Sequence, residues 1–138
     1  MSVATLIPAS GRPAAAAVQP QPALDALLAD YAAAWNARDI DAIMACHCSD
    51  TEYELHGTGQ RQRGAAAVRA QFAASIAAMP DMHFELRSAH CREALLLFET
   101  TITGTLQGKK ARLEAVDILT LRGLKVFTKD TYTVQAGS

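Results

Sequence analysis

Apolar residues recur at helical spacing in the first part of the chain and at strand spacing in the second. Leu24, Leu27, Leu28, Tyr31 and Trp35 stand three or four residues apart. That spacing puts them on one face of a helix, which opens near Pro22 and closes at Asn36-Ala37-Arg38. Asp39 suits the N-cap of a short second helix running to about Cys46, with Ile40, Ile43, Met44 and His47 on its inward side. Thr51 to His56 reads as a strand ended by Gly57-Thr58-Gly59. Gly64 to Ala78 is a third helix, with Val68, Phe72 and Ile76 on one side, and Pro80-Asp81 stops it.

The remainder predicts strands over Met82–His90, Ala94–Thr105, Arg112–Leu121 and Lys125–Val134, with turns at Gln107-Gly108-Lys109 and Arg122-Gly123. Such short connections imply an antiparallel meander. Leu95-Leu96-Leu97-Phe98 is apolar on both faces, as a sheet covered by helices on one side and a partner subunit on the other requires. Parity alone leaves open on which face Phe98, Thr100 and Ile102 lie. Helices first and a curved sheet afterwards is an α+β plan. Three helices leave part of such a sheet uncovered, so a pocket or a dimerising face follows.

Residues 1–21 are rich in Ala, Pro and Gly without periodicity and read as a disordered leader to a single domain over 22–138. They lack the basic start and hydrophobic stretch of a secretory signal. The 138 residues fit one domain and are 50% apolar, enough for a core. A net charge of -1 argues against nucleic acid or an anionic membrane as partner. No apolar run reaches the roughly 20 residues that cross a bilayer. Cys46, Cys48 and Cys91 make no disulfide framework, which points to reduced thiols and the cytosol. Cys46-His47-Cys48 lacks a second ligand pair at zinc spacing, so no metal is expected. No phosphate loop, dinucleotide fingerprint or nucleophile elbow occurs, and no cofactor is expected.

Asp117 is the most informative polar residue. Alternation sets it on one face with Leu113, Ala115 and Leu119, where a carboxyl must be paired, solvated or protonated. Burial can leave such an acid neutral as a hydrogen-bond donor. Tyr31 and Trp35 share the apolar face of the first helix, as core aromatics or as pocket wall. Tyr53 and Leu55 share one face of the first strand, Glu54 and His56 the other, although His56, before Gly57, has freedom to turn inward. His47 is either a core histidine or a general base. Phe127, Lys129 and Thr131 share a face of the last strand opposite Asp130 and Tyr132, and Lys129 is a candidate where that face is concave. His83 and His90, seven residues apart, are expected on opposite faces; Glu99 is expected to pair with a Lys or Arg across strands. Catalytic candidates are therefore Asp117, Tyr31, His47, His56 and Lys129. Trp35, Tyr53, Leu55, Phe72, Leu119 and Thr131 are candidate substrate contacts.

The stretch from Tyr31 through Trp35-Asn36-Ala37-Arg38-Asp39 to Ile43, then Ser49-Asp50-Thr51, resembles the opening of the nuclear transport factor 2-like fold. More narrowly it resembles the ketosteroid isomerase and SnoaL-like polyketide cyclase branch. Arg63-Gly64-Ala65, Met79-Pro80-Asp81-Met82 and Ala115-Val116-Asp117-Ile118 fit as well, over about residues 24–134. The resemblance implies a cone of curved sheet wrapped by three helices around a pocket. It also implies that Tyr31 donates to a substrate oxygen beside a protonated Asp117, as an oxyanion hole; ketosteroid isomerase is the standard example of such a neutral acid. The isomerase base, however, falls at Leu55. The epoxide hydrolase arginine falls at Ala115 and its second aspartate at Thr131, where the cyclase acid falls too.

Two readings stand. One is an enzyme that isomerises, cyclises or dehydrates an apolar carbonyl compound by enolate-type proton transfer, with His47, His56 or Lys129 moving the proton. The other is a non-catalytic small-ligand binder or dimeric interaction module. Both imply a homodimer, and the enzyme and the binder a small apolar substrate or ligand.

Overall fold

The computed structural model describes residues 19–135. The leader expected over 1–21 lies, up to residue 18, outside them. Three helices, α1 (Gln21–Asn36), α2 (Ile40–Ala45) and α3 (Ala65–Ala78), precede or interrupt six strands: β1 (His47–Leu55), β2 (Arg61–Arg63), β3 (His83–Arg92), β4 (Leu95–Leu106), β5 (Lys109–Arg122) and β6 (Lys125–Gln135). The strand order is β2-β1-β6-β5-β4-β3. β1 runs parallel to β6 and every other pairing is antiparallel, so the sheet is mixed and the fold α+β.

Local chemistry accounts for the helix ends. Pro22 stands in the first turn of α1, where its missing N–H is no loss. The Asp39 carboxylate accepts from the Ala42 N–H at 3.1 Å and starts α2. The Asn36 side chain docks the end of α1 onto β3 like a strand edge. It donates to the Phe84 carbonyl at 3.1 Å and accepts from the Phe84 N–H at 2.7 Å.

The inner face of the sheet carries the core. Leu96, Phe98 and Ile102 of β4, Ala115 and Leu119 of β5 and Val126 of β6 are buried under Leu24, Leu28 and Trp35 of α1 and Phe72 of α3. Phe98, Thr100 and Ile102, whose face parity left open, all point inward. Burying a side chain of this size is worth about 1.5–3 kcal/mol.

Several expectations change. His47 is not on the second helix. Cys46 caps α2, its carbonyl at once accepts from the Val126 N–H at 2.7 Å, and β1 therefore starts at His47 rather than Thr51. The short strand β2 was not anticipated; Glu52, Tyr53 and Glu54 pair with it. A bulge at Phe127 separates it from the face of Lys129. Val126 pairs with inward Leu121 while Thr128 pairs with Thr120, and Phe127 turns under the Arg122 guanidinium, 4.0 Å from its ring centre. A second bulge, between Leu86 and Ser88, resets the parity of β3, so His83 and His90 share the outer face. Glu99 accepts from the Ser88 hydroxyl at 2.6 Å instead of meeting a Lys or Arg.

Candidate functional site

A cavity of about 170 Å³ opens between α1 and the inner face of the sheet. The helix contributes Leu28, Tyr31, Ala32, Trp35 and Asn36, one face at helical spacing. From the strands come Phe84 and Leu86 of β3, Phe98 and Thr100 of β4, Asp117 of β5 and Lys129 of β6. An apolar cavity of about 150 Å³ admits benzene, so this one suits a small ring or short chain.

Asp117 is 4% exposed and stands directly opposite Phe98 on β4 and Thr131 on β6. The Thr131 hydroxyl donates a hydrogen bond to its Oδ1. Lys129 Nζ lies 3.9 Å from the same oxygen. Two strands with regular pairing at these positions bring the three side chains together.

Lys129 is buried on all sides. Its ammonium group lies 4.5 Å from the Trp35 ring centre, 5.0 Å from Tyr31, 5.1 Å from Phe72 and 5.8 Å from Tyr53. Burial holds its pKa below the usual lysine range, and the negative Asp117 opposes that shift. Its hydrogen bond goes to the Tyr31 oxygen at 3.1 Å.

The Tyr31 hydroxyl belongs to a directed chain. Thr51 donates to the Phe127 carbonyl at 2.9 Å, so its oxygen is left to accept from His47 Nδ1 at 2.8 Å. The network thus assigns the His47 proton to Nδ1 and leaves Nε2 as an acceptor, 2.9 Å from the Tyr31 oxygen. Burial, with Lys129 nearby, lowers the His47 pKa to about 3 and keeps the ring neutral. Burial likewise pushes the Tyr31 phenol well above 10; the Trp35 indole offsets part of the rise and Asp117 adds to it. Tyr31 therefore donates to His47, not to the cavity, and Asp117 meets Thr131 and Lys129 rather than Tyr31.

The donors free to meet a ligand are others. Among the described residues, Thr100 Oγ1 is buried without a hydrogen-bond partner and Trp35 Nε1 without one of good geometry, the indole being turned toward the Tyr31 oxygen; both residues line the cavity. Sequence reasoning placed Trp35 there but missed Thr100, whose signal was its register opposite Ala115, two residues from Asp117.

The other candidates fall outside. Tyr53, Phe72 and Leu119 back the cavity wall as core. Tyr53 and Leu55 border a separate depression of about 50 Å³ beside β2. Burial, then the Asp117 charge, pushes the Tyr53 phenol to about 12. His56 does not turn inward. Its Nε2 lies 2.8 Å from Asp130, its Nδ1 3.4 Å from Glu54, and its ring stacks on Tyr132 with centres 4.1 Å apart, all on the outer face. Glu54, His56 and Asp130 offer ligand atoms within 4.8 Å of one another. Arg61 also reaches that cluster, 2.9 Å from the Asp130 oxygen and 3.5 Å from Glu54, while holding Glu52 at 2.6 Å. No described helix is long and apolar enough to cross a membrane.

The model of the SnoaL-like domain family matches residues 28–128. No curated protein matches the sequence. Solved structures similar in fold include a protein assigned as a SnoaL-like polyketide cyclase from Jannaschia sp., 14% identical over 81% of this chain and 85% of that one, TM-score 0.73. A protein with a ketosteroid isomerase-like fold from Catenulispora acidiphila, in complex with trimethylamine, is 19% identical over 77% and 83%, TM-score 0.70. An LEH-like epoxide hydrolase from M. tuberculosis is 15% identical over 81% and 82%, TM-score 0.69.

Proposed function

This chain belongs to the SnoaL-like domain family, and on that premise we propose that it is an enzyme acting on a small apolar carbonyl compound by proton transfer next to the carbonyl. Isomerisation, cyclisation and dehydration all run through the enolate that such a transfer makes. The observation that carries this reading is a carboxyl and an amine, Asp117 and Lys129, 3.9 Å apart in the wall of an otherwise apolar cavity. With Leu55 unable to move a proton, Asp117 takes the base's part. In its ammonium form, which the Asp117 charge supports, Lys129 supplies positive charge where the enolate forms. Thr100 Oγ1, unpartnered among the described residues, and the Trp35 indole N–H beside it are the donors for the carbonyl oxygen. One well-aimed donor of this kind lowers a barrier by about 3–4 kcal/mol. Tyr31, backed by His47 and Thr51, positions the amine; its ring lines the cavity while its proton is given to His47. A cytoplasmic homodimer, paired through the outer sheet face where Tyr132 and Val134 are exposed, accompanies this reading.

The test is exchange of α-hydrogens for deuterium in small ketones such as cyclohexanone, followed by NMR. The full chain should speed exchange and Asp117→Asn should abolish it. Exchange at the buffer rate with the folded wild-type chain refutes the proposal.

A further inference from the structure

Resting on that reading, we propose that Lys129 is a Schiff-base lysine, whose Nζ condenses with the carbonyl carbon of a small apolar aldehyde or ketone held between α1 and the sheet. Four observations carry it. Lys129 lines the cavity from a buried strand position, its Nζ 3.1 Å from the Tyr31 oxygen and 4.5 Å from the Trp35 ring centre, both in residues that line it too. Rings of Tyr31, Trp35, Tyr53 and Phe72 surround it and thin out the water that would hydrolyse an imine. Its contact with Tyr31 uses an N–H, because the phenol proton is already given to His47, so the nitrogen lone pair is uncommitted in the neutral amine. A carboxyl to carry protons between nitrogen and oxygen stands 3.9 Å away. Burial favours that neutral amine.

The step balances without any further reagent. The Nζ lone pair forms the C–N bond and the carbonyl π pair moves onto oxygen. Asp117 takes one N–H proton and returns it to that oxygen, giving a neutral carbinolamine. The nitrogen lone pair then makes C=N as the C–O bond breaks. The second N–H proton follows to the departing hydroxide, so amine plus carbonyl becomes imine plus water. Protonated, the imine draws electrons from its neighbouring C–H bond more strongly than the carbonyl does, and Asp117 is placed to take that proton. The ligand class is thereby narrowed to unhindered aldehydes and ketones, with esters and acids excluded.

The experiment is reductive trapping on the full chain: benzaldehyde or cyclohexanone with sodium borohydride, followed by peptide mass mapping. Lys129 should gain the probe's mass less one oxygen, ahead of the exposed Lys109, Lys110 and Lys125. Ala32→Trp, which fills the cavity mouth, should remove labelling at Lys129 and leave the other three labelled. Labelling confined to the three exposed lysines overturns the proposal. Deuterium exchange without trapping at Lys129 removes only the covalent step; loss of both removes the proton-transfer reading as well.

Discussion

The Tyr31 hydroxyl points its proton at His47 Nε2, 2.9 Å away, and turns its lone pair to Lys129. This one contact reverses the part a tyrosine at this position would be given from sequence. A phenol that serves as donor to the imidazole and acceptor from the amine cannot also donate to a ligand. It holds the amine in place, and the cavity's spare donors become Trp35 and Thr100.

The direction of this chain depends on Thr51. Replacing Thr51 with Val keeps the shape but deprives His47 Nδ1 of its acceptor and the Phe127 carbonyl of its donor. The expected loss is about 1–3 kcal/mol, read from urea unfolding. Thr51→Ser, which restores the hydroxyl, should recover most of it.

His47 predicts an acid limb in stability. Its folded pKa of about 3 lies below the unfolded value of 6.5, so the unfolded chain binds the proton more readily. Its contribution is whole above pH 6.5 and drains away as pH falls toward about 3. The slope approaches about 1.4 kcal/mol per pH unit. Urea midpoints across that window should show it, and His47→Gln should flatten it. An unchanged slope in the variant would contradict a neutral buried imidazole.

Asp117 also tunes the amine. Tyr31 and Tyr53 are pushed up and His47 down, so all three are neutral near pH 7 and the Asp117 charge is what supports the ammonium. Asp117→Asn should therefore move the pH midpoint of reductive alkylation at Lys129 lower. A midpoint that holds or rises speaks against the contact.

Gly104 is a packing test remote from the site. A Cβ there would stand 2.6 Å from Met79 Cγ and Sδ, and Met79 is 4% exposed. Gly104→Ala should destabilise by about 1–3 kcal/mol. Adding Met79→Ala should make the pair less costly than the sum of the two single changes, the signature of direct contact in thermal unfolding.

The sequence by itself determined what short-range periodicity can encode. The face of α1 from Leu24 to Trp35 was legible because 3.6-residue spacing is a local property. Asp117 among Ala115 and Leu119 was legible because β5 runs through those positions without a bulge. The capped start of α2 and the α+β order were legible for the same reason. Tertiary structure decided the rest. Bulges at Phe127 and between Leu86 and Ser88 shifted parity where cross-strand pairing required it, which no single strand announces. His56 went outward because Asp130, Glu54 and Tyr132 hold it there. His47 and Lys129 stand 16 and 98 positions from Tyr31 along the chain, yet both meet it through hydrogen bonds. Periodicity reports which way a side chain points. Which groups then share a proton depends on distances across the curved sheet, and those exist only once the chain has folded.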